Sequence, residues 1–221
     1  MNFGDIKPET KPRIVILISG SGSNMAAIAD TLKAEKVEAD IAAVISNKEE
    51  VPGLQKALDR DLHTEVLSHK NFESREAYDM ALIKLINEFQ ADLIVLAGFM
   101  RVLSPAFVQY FSDRILNVHP SLLPKFQGLN THQRALDAGE SEHGVTVHFV
   151  NENLDDGPNV IQAAVSVEEG DTAESLQRKV QKQEHIIYPI AVKWFVEGRL
   201  KYNGKQALLD GKALPKSGLR L

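Results

Sequence analysis

Cysteine is missing from all 221 residues. Its absence excludes disulfides, thiol nucleophiles and thiolate metal sites, and fits a reducing compartment. No apolar run is long enough to span a bilayer. The opening residues, "MNFGDIKPETKPR", lack the apolar centre of a secretory signal. Basic charge is not in excess either. With 25 Lys and Arg against 30 Asp and Glu, the formal net charge is −5. That balance speaks against a nucleic-acid surface, though not against a small anion held by backbone amides. The seven His residues show no H-E-x-x-H or comparable metal spacing. No internal repeat or low-complexity tract occurs. What remains, 43% hydrophobic and 25% charged residues, is an ordinary globular composition. The expectation is a cytoplasmic protein that handles small molecules without a membrane, nucleic-acid or metal partner.

Short apolar runs alternate with helical periodicity up to about residue 119. "RIVILISG", "ADIAAVISN", "ADLIVLAG" and "RILNVH" read as strands buried on both faces, and "TEVLS" as a short further strand. Between them, "NMAAIADTLKAEKV", "VPGLQKALDRDL", "SREAYDMALIKLINEFQ" and "SPAFVQYF" carry helical spacing. Regular alternation predicts right-handed crossovers and a parallel sheet. Beyond residue 119 the pattern changes. "HGVTVHFV" alternates at period two, and "NVIQAAVSV" follows a turn at Asp156-Gly157-Pro158. This predicts an antiparallel addition. A long helix over 172–198 is expected to kink or break near Pro189. The fold class is therefore α/β: a Rossmann-like, mostly parallel twisted sheet with helices on both faces and an antiparallel C-terminal addition.

Three polar loops, 19–24, 98–104 and 117–124, fall at strand carboxyl ends, where ligands bind in open α/β sheets. In "SGSGSN", Gly20 and Gly22 permit close backbone approach, and Ser23 or Asn24 can cap the following helix. The loop has no third Gly for a dinucleotide and no P-loop Lys. A phosphomonoester or mononucleotide suits it better, and a simple capped turn explains it equally well. A serine-hydrolase elbow fails because the G-x-S-x-G spacing is incomplete.

"ILNVHPSLLPKFQG" is more informative. Asn117 and His119 are two apart on a strand and so point the same way. Pro120 and Pro124 stop the strand and stiffen its exit. An amide can bond a developing oxyanion, and an imidazole can move a proton near neutral pH. A buried, satisfied His is the plainer reading of these two residues alone. Asp155 and Asp156, before Gly157-Pro158, offer a carboxylate to orient the imidazole, although acids there usually just form turns.

Taken together, "VILISGSGSN", "AVISN", "SREAYD", "LAGFMRVLSPAF", "LNVHPSLLPKFQGLNTH", "EHGVTVHFV", "LDDGP" and "QEHIIYP" resemble, in order, the folate-dependent glycinamide ribonucleotide formyltransferase family. The resemblance covers about residues 13 to 200. It implies direct transfer of formyl from 10-formyltetrahydrofolate, a co-substrate, to the amine of glycinamide ribonucleotide, with no metal. It implies Asn117, His119 and Asp155 as the catalytic trio, Asp155 being chosen over Asp156 by the Asp-x-Gly-Pro pattern. It assigns Gly22, Ser23, Asn24 and Glu184 to the nucleotide. Arg75, Met100, Arg101, Val102 and Leu103 fall to the folate, with Leu96 and Val102 as pocket wall and Arg75 near the folate's acidic tail. His132 matches a family His near the site, and Gln127 stands where the family more often has Pro.

The expected organisation is a flexible extension over 1–12, one catalytic domain over 13–200 and a weakly patterned tail over 201–221. Within the domain, a nucleotide-phosphate half covers about 13–110 and a folate and catalytic half about 111–200. A monomer or weak homodimer is expected. A methionyl-tRNA formyltransferase would carry a further C-terminal domain and a basic face. A formyl-folate hydrolase would share the trio and usually carry an N-terminal regulatory domain. A nucleotide-sensing module would keep the glycine loop without needing the trio.

Overall fold

The computed structural model describes residues 11–221. The extension expected over 1–12 lies outside the described residues except for Lys11 and Pro12. From there the elements run β1 (Arg13–Ile18), α1 (Ser23–Ala34), β2 (Asp40–Ser46), α2 (Pro52–Leu58), β3 (Thr64–Val66), α3 (Arg75–Glu88), β4 (Leu93–Leu96), α4 (Pro105–Tyr110) and β5 (Ile115–His119). They continue with α5 (Thr131–Asp137), β6 (Glu142–Phe149), β7 (Asn159–Ser166), α6 (Ala173–Val196), β8 (Leu200–Tyr202), β9 (Ala207–Leu209), β10 (Lys212–Ala213) and β11 (Leu219–Arg220).

Eight strands form one sheet in the order β11-β7-β6-β5-β4-β1-β2-β3. β3, β2, β1, β4 and β5 are parallel, and β6 runs antiparallel to both β5 and β7. The strand order reverses between β1 and β4, where adjacent strand ends send their loops apart and leave a crevice. Ile14 to Ile18 are all fully buried, as the unbroken apolar run requires. Alternate residues feed two cores. Ile14, Ile16 and Ile18 pack with α1 and α6 on one face. Val15 and Leu17 pack with Tyr78, Leu82 and Ile86 of α3 and Phe107 of α4 on the other. Each such side chain contributes about 1.5–3 kcal/mol by burial.

Three features depart from the sequence reading. α6 runs unbroken from Ala173 to Val196 with Pro189 inside it. Burial of Pro189, Tyr188, Ala191 and Val192 against the core outweighs the proline's missing hydrogen bond. The segment Thr131–Asp137, for which no element was expected, is a helix. The residues after Leu200 are ordered strands. β8, β9 and β10 form a separate antiparallel sheet, and β11 joins the main sheet parallel to β7. Two- and three-residue strands are too short to leave a periodic signature.

Candidate active site

The loops after β1, β4 and β5 leave the same edge of the sheet, as their parallel pairing requires. At the end of β5, Asn117 and His119 lie opposite His148 and Thr146 of β6. His119 is 5% exposed. Its Nδ1 is 3.3 Å from Asp155 Oδ2, and its Nε2 lies 2.9 Å from the Phe126 carbonyl. Asp155 Oδ2 also accepts from the Gly128 amide at 3.0 Å. Both imidazole nitrogens thus face oxygen acceptors, an arrangement that suits a donor at each.

Asp155 reaches inward from a left-handed backbone, φ 49, which a non-glycine residue holds only under constraint. Gly157 explains how the loop closes on β6. A Cβ there would lie 1.7 Å from the Phe149 carbonyl, so only glycine fits. Asp156 points to solvent, with Oδ2 3.5 Å from Asn153 Nδ2. The structure therefore turns the two adjacent carboxylates to different environments.

His148 completes this edge, and sequence reasoning did not single it out. Its Nδ1 bonds the Phe149 carbonyl at 2.8 Å, and its Nε2 lies 3.2 Å from Asn117 Nδ2. Burial pushes the His148 pKa down, against the opposing pull of that carbonyl and of Asp155. A neutral ring with its proton on Nδ1 accepts one Asn117 N–H at Nε2. The second Asn117 N–H stays available. The signal was the period-two alternation in "HGVTVHFV", which cannot reveal a cross-strand partner 31 residues away.

The strand exit is held from below. Thr146 Oγ1 donates to the Ser121 carbonyl at 2.6 Å and accepts from the Leu123 amide at 3.0 Å. Gln162 Nε2 donates to the Leu123 carbonyl and to Thr146 Oγ1, both at 2.9 Å. Further along, His132 Nδ1 and His143 Nε2 are 3.1 Å apart. Burial and the neighbouring His132 push His143 down to about 4. Arg134 Nη1 donates to the carbonyls of Gln127 and Leu129, bracing the turn that carries Gln127.

In the glycine loop, neither Ser23 nor Asn24 caps α1, contrary to expectation. The helix starts after Gly22, φ 67, with no side-chain cap. Asn24 Nδ2 donates instead to Glu184 Oε2 at 2.7 Å, and Gln181 Nε2 donates to Ser23 Oγ at 3.2 Å. A partner 160 residues away wins over the local cap. The first-turn amides are consequently left without a side-chain cap. Burial raises the Glu184 pKa, opposed by the Asn24 bond. Gly22 packs on Gly53 of α2, where a Cβ would meet Gly53 Cα at 2.6 Å. Gln181, Glu184 and Tyr188 make one stripe of α6. The Tyr188 hydroxyl lies 3.0 Å from the Leu96 carbonyl and 2.9 Å from that of Leu116, joining the ends of β4 and β5.

In the loop after β4, Met100 is 68% and Val102 58% exposed, while Leu103 packs against the α3–α4 core. Leu96 is buried in that core. The Arg101 guanidinium lies 4.6 Å over the Tyr78 ring, and its Nε is buried without a partner. Arg75, one turn before Tyr78, is exposed and pairs only loosely with Glu76 at 3.4 Å. No contact brings Arg75 to the trio. Exposed Leu129 and Leu154, on the loops beside Asp155, add apolar surface at this end.

Comparison with known proteins agrees with this geometry. The family model described as "Formyl transferase" matches residues 12–192. The phosphoribosylglycinamide formyltransferase of Escherichia coli is 50% identical over 205 residues, covering 93% of this chain and 97% of that protein. The enzyme of the same name from Haemophilus influenzae is 48% identical, with 93% and 97% covered. The solved phosphoribosylglycinamide formyltransferase of Coxiella burnetii superposes with a TM-score of 0.90 at 48% identity, covering 95% of this chain and 99% of that one.

Proposed function

The chain belongs to the formyl transferase family, and from that premise we propose that it transfers formyl from 10-formyltetrahydrofolate to the amine of glycinamide ribonucleotide. The products are N-formylglycinamide ribonucleotide and tetrahydrofolate, a step of purine synthesis. The observation that carries this reading is the trio. Asn117, His119 and Asp155 come together at one strand end with a carboxylate 3.3 Å from the imidazole.

The amine nitrogen bonds to the formyl carbon, and the bond from that carbon to the folate nitrogen breaks. One proton leaves the amine and one reaches the folate nitrogen. Asn117 gives its second N–H to the formyl oxygen as negative charge builds there. His119 donates to the same oxygen, exchanging its bond to the Phe126 carbonyl for one to substrate. Asp155 orients His119, and accepts the amine's proton through water.

The amides of Gly22, Ser23 and Asn24 take the nucleotide's phosphate, and Glu184 bonds its ribose hydroxyls. The folate lies against the exposed apolar surface of Met100 and Val102, which fits a flat ring, with Leu103 at the edge of the α3–α4 core. Arg101, with its unpartnered Nε, contacts the folate in this pocket, and Arg75 lies toward the folate's acidic tail. Among the described residues, no group of three or more His, Asp or Glu side chains is placed to hold a metal ion, and no helix is long and apolar enough to cross a membrane. We place the reaction in the cytoplasm, in a monomer or weak homodimer with one catalytic domain that starts near residue 13 and takes in the strands after Leu200.

The test follows tetrahydrofolate release with each substrate omitted in turn. Release that requires both substrates supports the transfer. Release without the amine would make the protein a hydrolase instead.

A further inference from the structure

Ser19 belongs to neither substrate's contacts, yet it sits where both loops begin. It is 5% exposed. Its hydroxyl donates to Asn47 Oδ1 at 2.6 Å and accepts from the Met100 amide at 2.8 Å. Asn47, at the end of β2, is 1% exposed, and its carbonyl accepts from His69 Nδ1 at 2.8 Å. The Asn47 acceptor fixes the hydroxyl rotor, so that a lone pair meets the Met100 N–H. The next residue, Gly20, is held as well, its carbonyl accepting from the Gly53 amide at 2.9 Å. Among the described residues, the Ser19–Met100 bond is the one side-chain hydrogen bond joining the 19–24 loop to the 98–104 loop.

We propose that Ser19 is a positioning residue that couples the two substrate subsites, so that occupying either loop sets the geometry of the other. The inference rests on the reading that 19–24 holds the nucleotide and 98–104 the folate. A nucleotide seated on Gly22–Asn24 fixes the backbone leading from Ser19. Through the hydroxyl, that fixes the Met100 amide, where the folate surface starts. Linkage makes the effect reciprocal. Without the hydroxyl, the Met100 N–H loses its protein partner, Asn47 Oδ1 is left buried without one, and the two loops move independently.

Calorimetric titration tests this with glycinamide ribonucleotide and tetrahydrofolate, which lacks the formyl group and cannot turn over. In the parent protein, saturation with one ligand should tighten the other by about 5-fold or more. In Ser19→Ala each ligand should still bind alone, while the coupling factor falls to about 1, the value for independent sites. Ser19→Thr, which keeps the hydroxyl, should restore the coupling. Should Ser19→Ala fail to fold by circular dichroism, Asn47→Ala removes the acceptor that sets the hydroxyl rotor and should lower the coupling factor in the same direction. Coupling that survives undiminished in Ser19→Ala and in Asn47→Ala, or that is absent from a parent binding both ligands, would overturn the inference. A parent that binds neither ligand would overturn the substrate reading itself, and the inference with it.

Discussion

The two ends of the sheet present opposite kinds of surface. At the amino end, α1, α2 and β2 enclose a groove of about 520 Å3 lined by Leu32, Val37, Ile41 and Leu62 with Asp30 and Arg60. There Arg60 meets Asp30 through two bonds of 2.8 Å. At the carboxyl end, by contrast, some buried polar groups are left open. Arg101 Nε and Asn24 Oδ1 are buried without partners, and Asp155 is turned inward on a left-handed backbone. The chemistry of a site is read from polar groups that the fold holds ready, and volume alone is a poor guide to it.

Substitutions at the two ends should separate accordingly. His119→Ala should have the largest effect, lowering kcat by roughly 10³-fold or more, measured as tetrahydrofolate release at saturating substrates. Asn117→Ala should cost about 10²–10³ in kcat, as loss of one oxyanion donor does. Glu184→Gln should act mainly on binding, raising the nucleotide KM about 10-fold while leaving kcat near the parent value. Arg60→Ala, in the amino-end groove, should leave both kinetic constants unchanged and shift stability by less than about 1 kcal/mol, since its partner is solvent-exposed. A large kinetic effect of Arg60→Ala would break the contrast between the ends.

The buried imidazoles sharpen it along a pH axis. His143 is held near 4 in the fold, below the ordinary value of 6.5. The unfolded chain therefore binds the proton first, and stability falls as pH drops from about 6.5 toward about 4. Thermal midpoints across that range should show the loss, and it should be smaller in His143→Gln.

What was legible in the sequence was what short-range periodicity encodes. Buried runs gave the parallel strands, and the i, i+2 spacing placed Asn117 and His119 on one face. The resemblance supplied Asp155, which the spacing could not. Cross-strand and sequence-distant partners were illegible because nothing local marks them. Asn24 reads as a cap until Glu184 is beside it, and His148 is a strand residue until Asn117 faces it. Ser19 looks like turn composition until Asn47 and the Met100 amide close on its hydroxyl. Pro189 misled for the same reason, since burial of its own helix face decides whether that helix continues.

The central claim is that His119 and Asp155 act as one unit on the transferring formyl group. The direct test is a double-mutant cycle on kcat with His119→Ala, Asp155→Asn and the pair. Groups that act together lose their effect once, so the double variant should be about as slow as the slower single variant. Losses that multiply would mean that the two residues contribute independently, and would contradict the account.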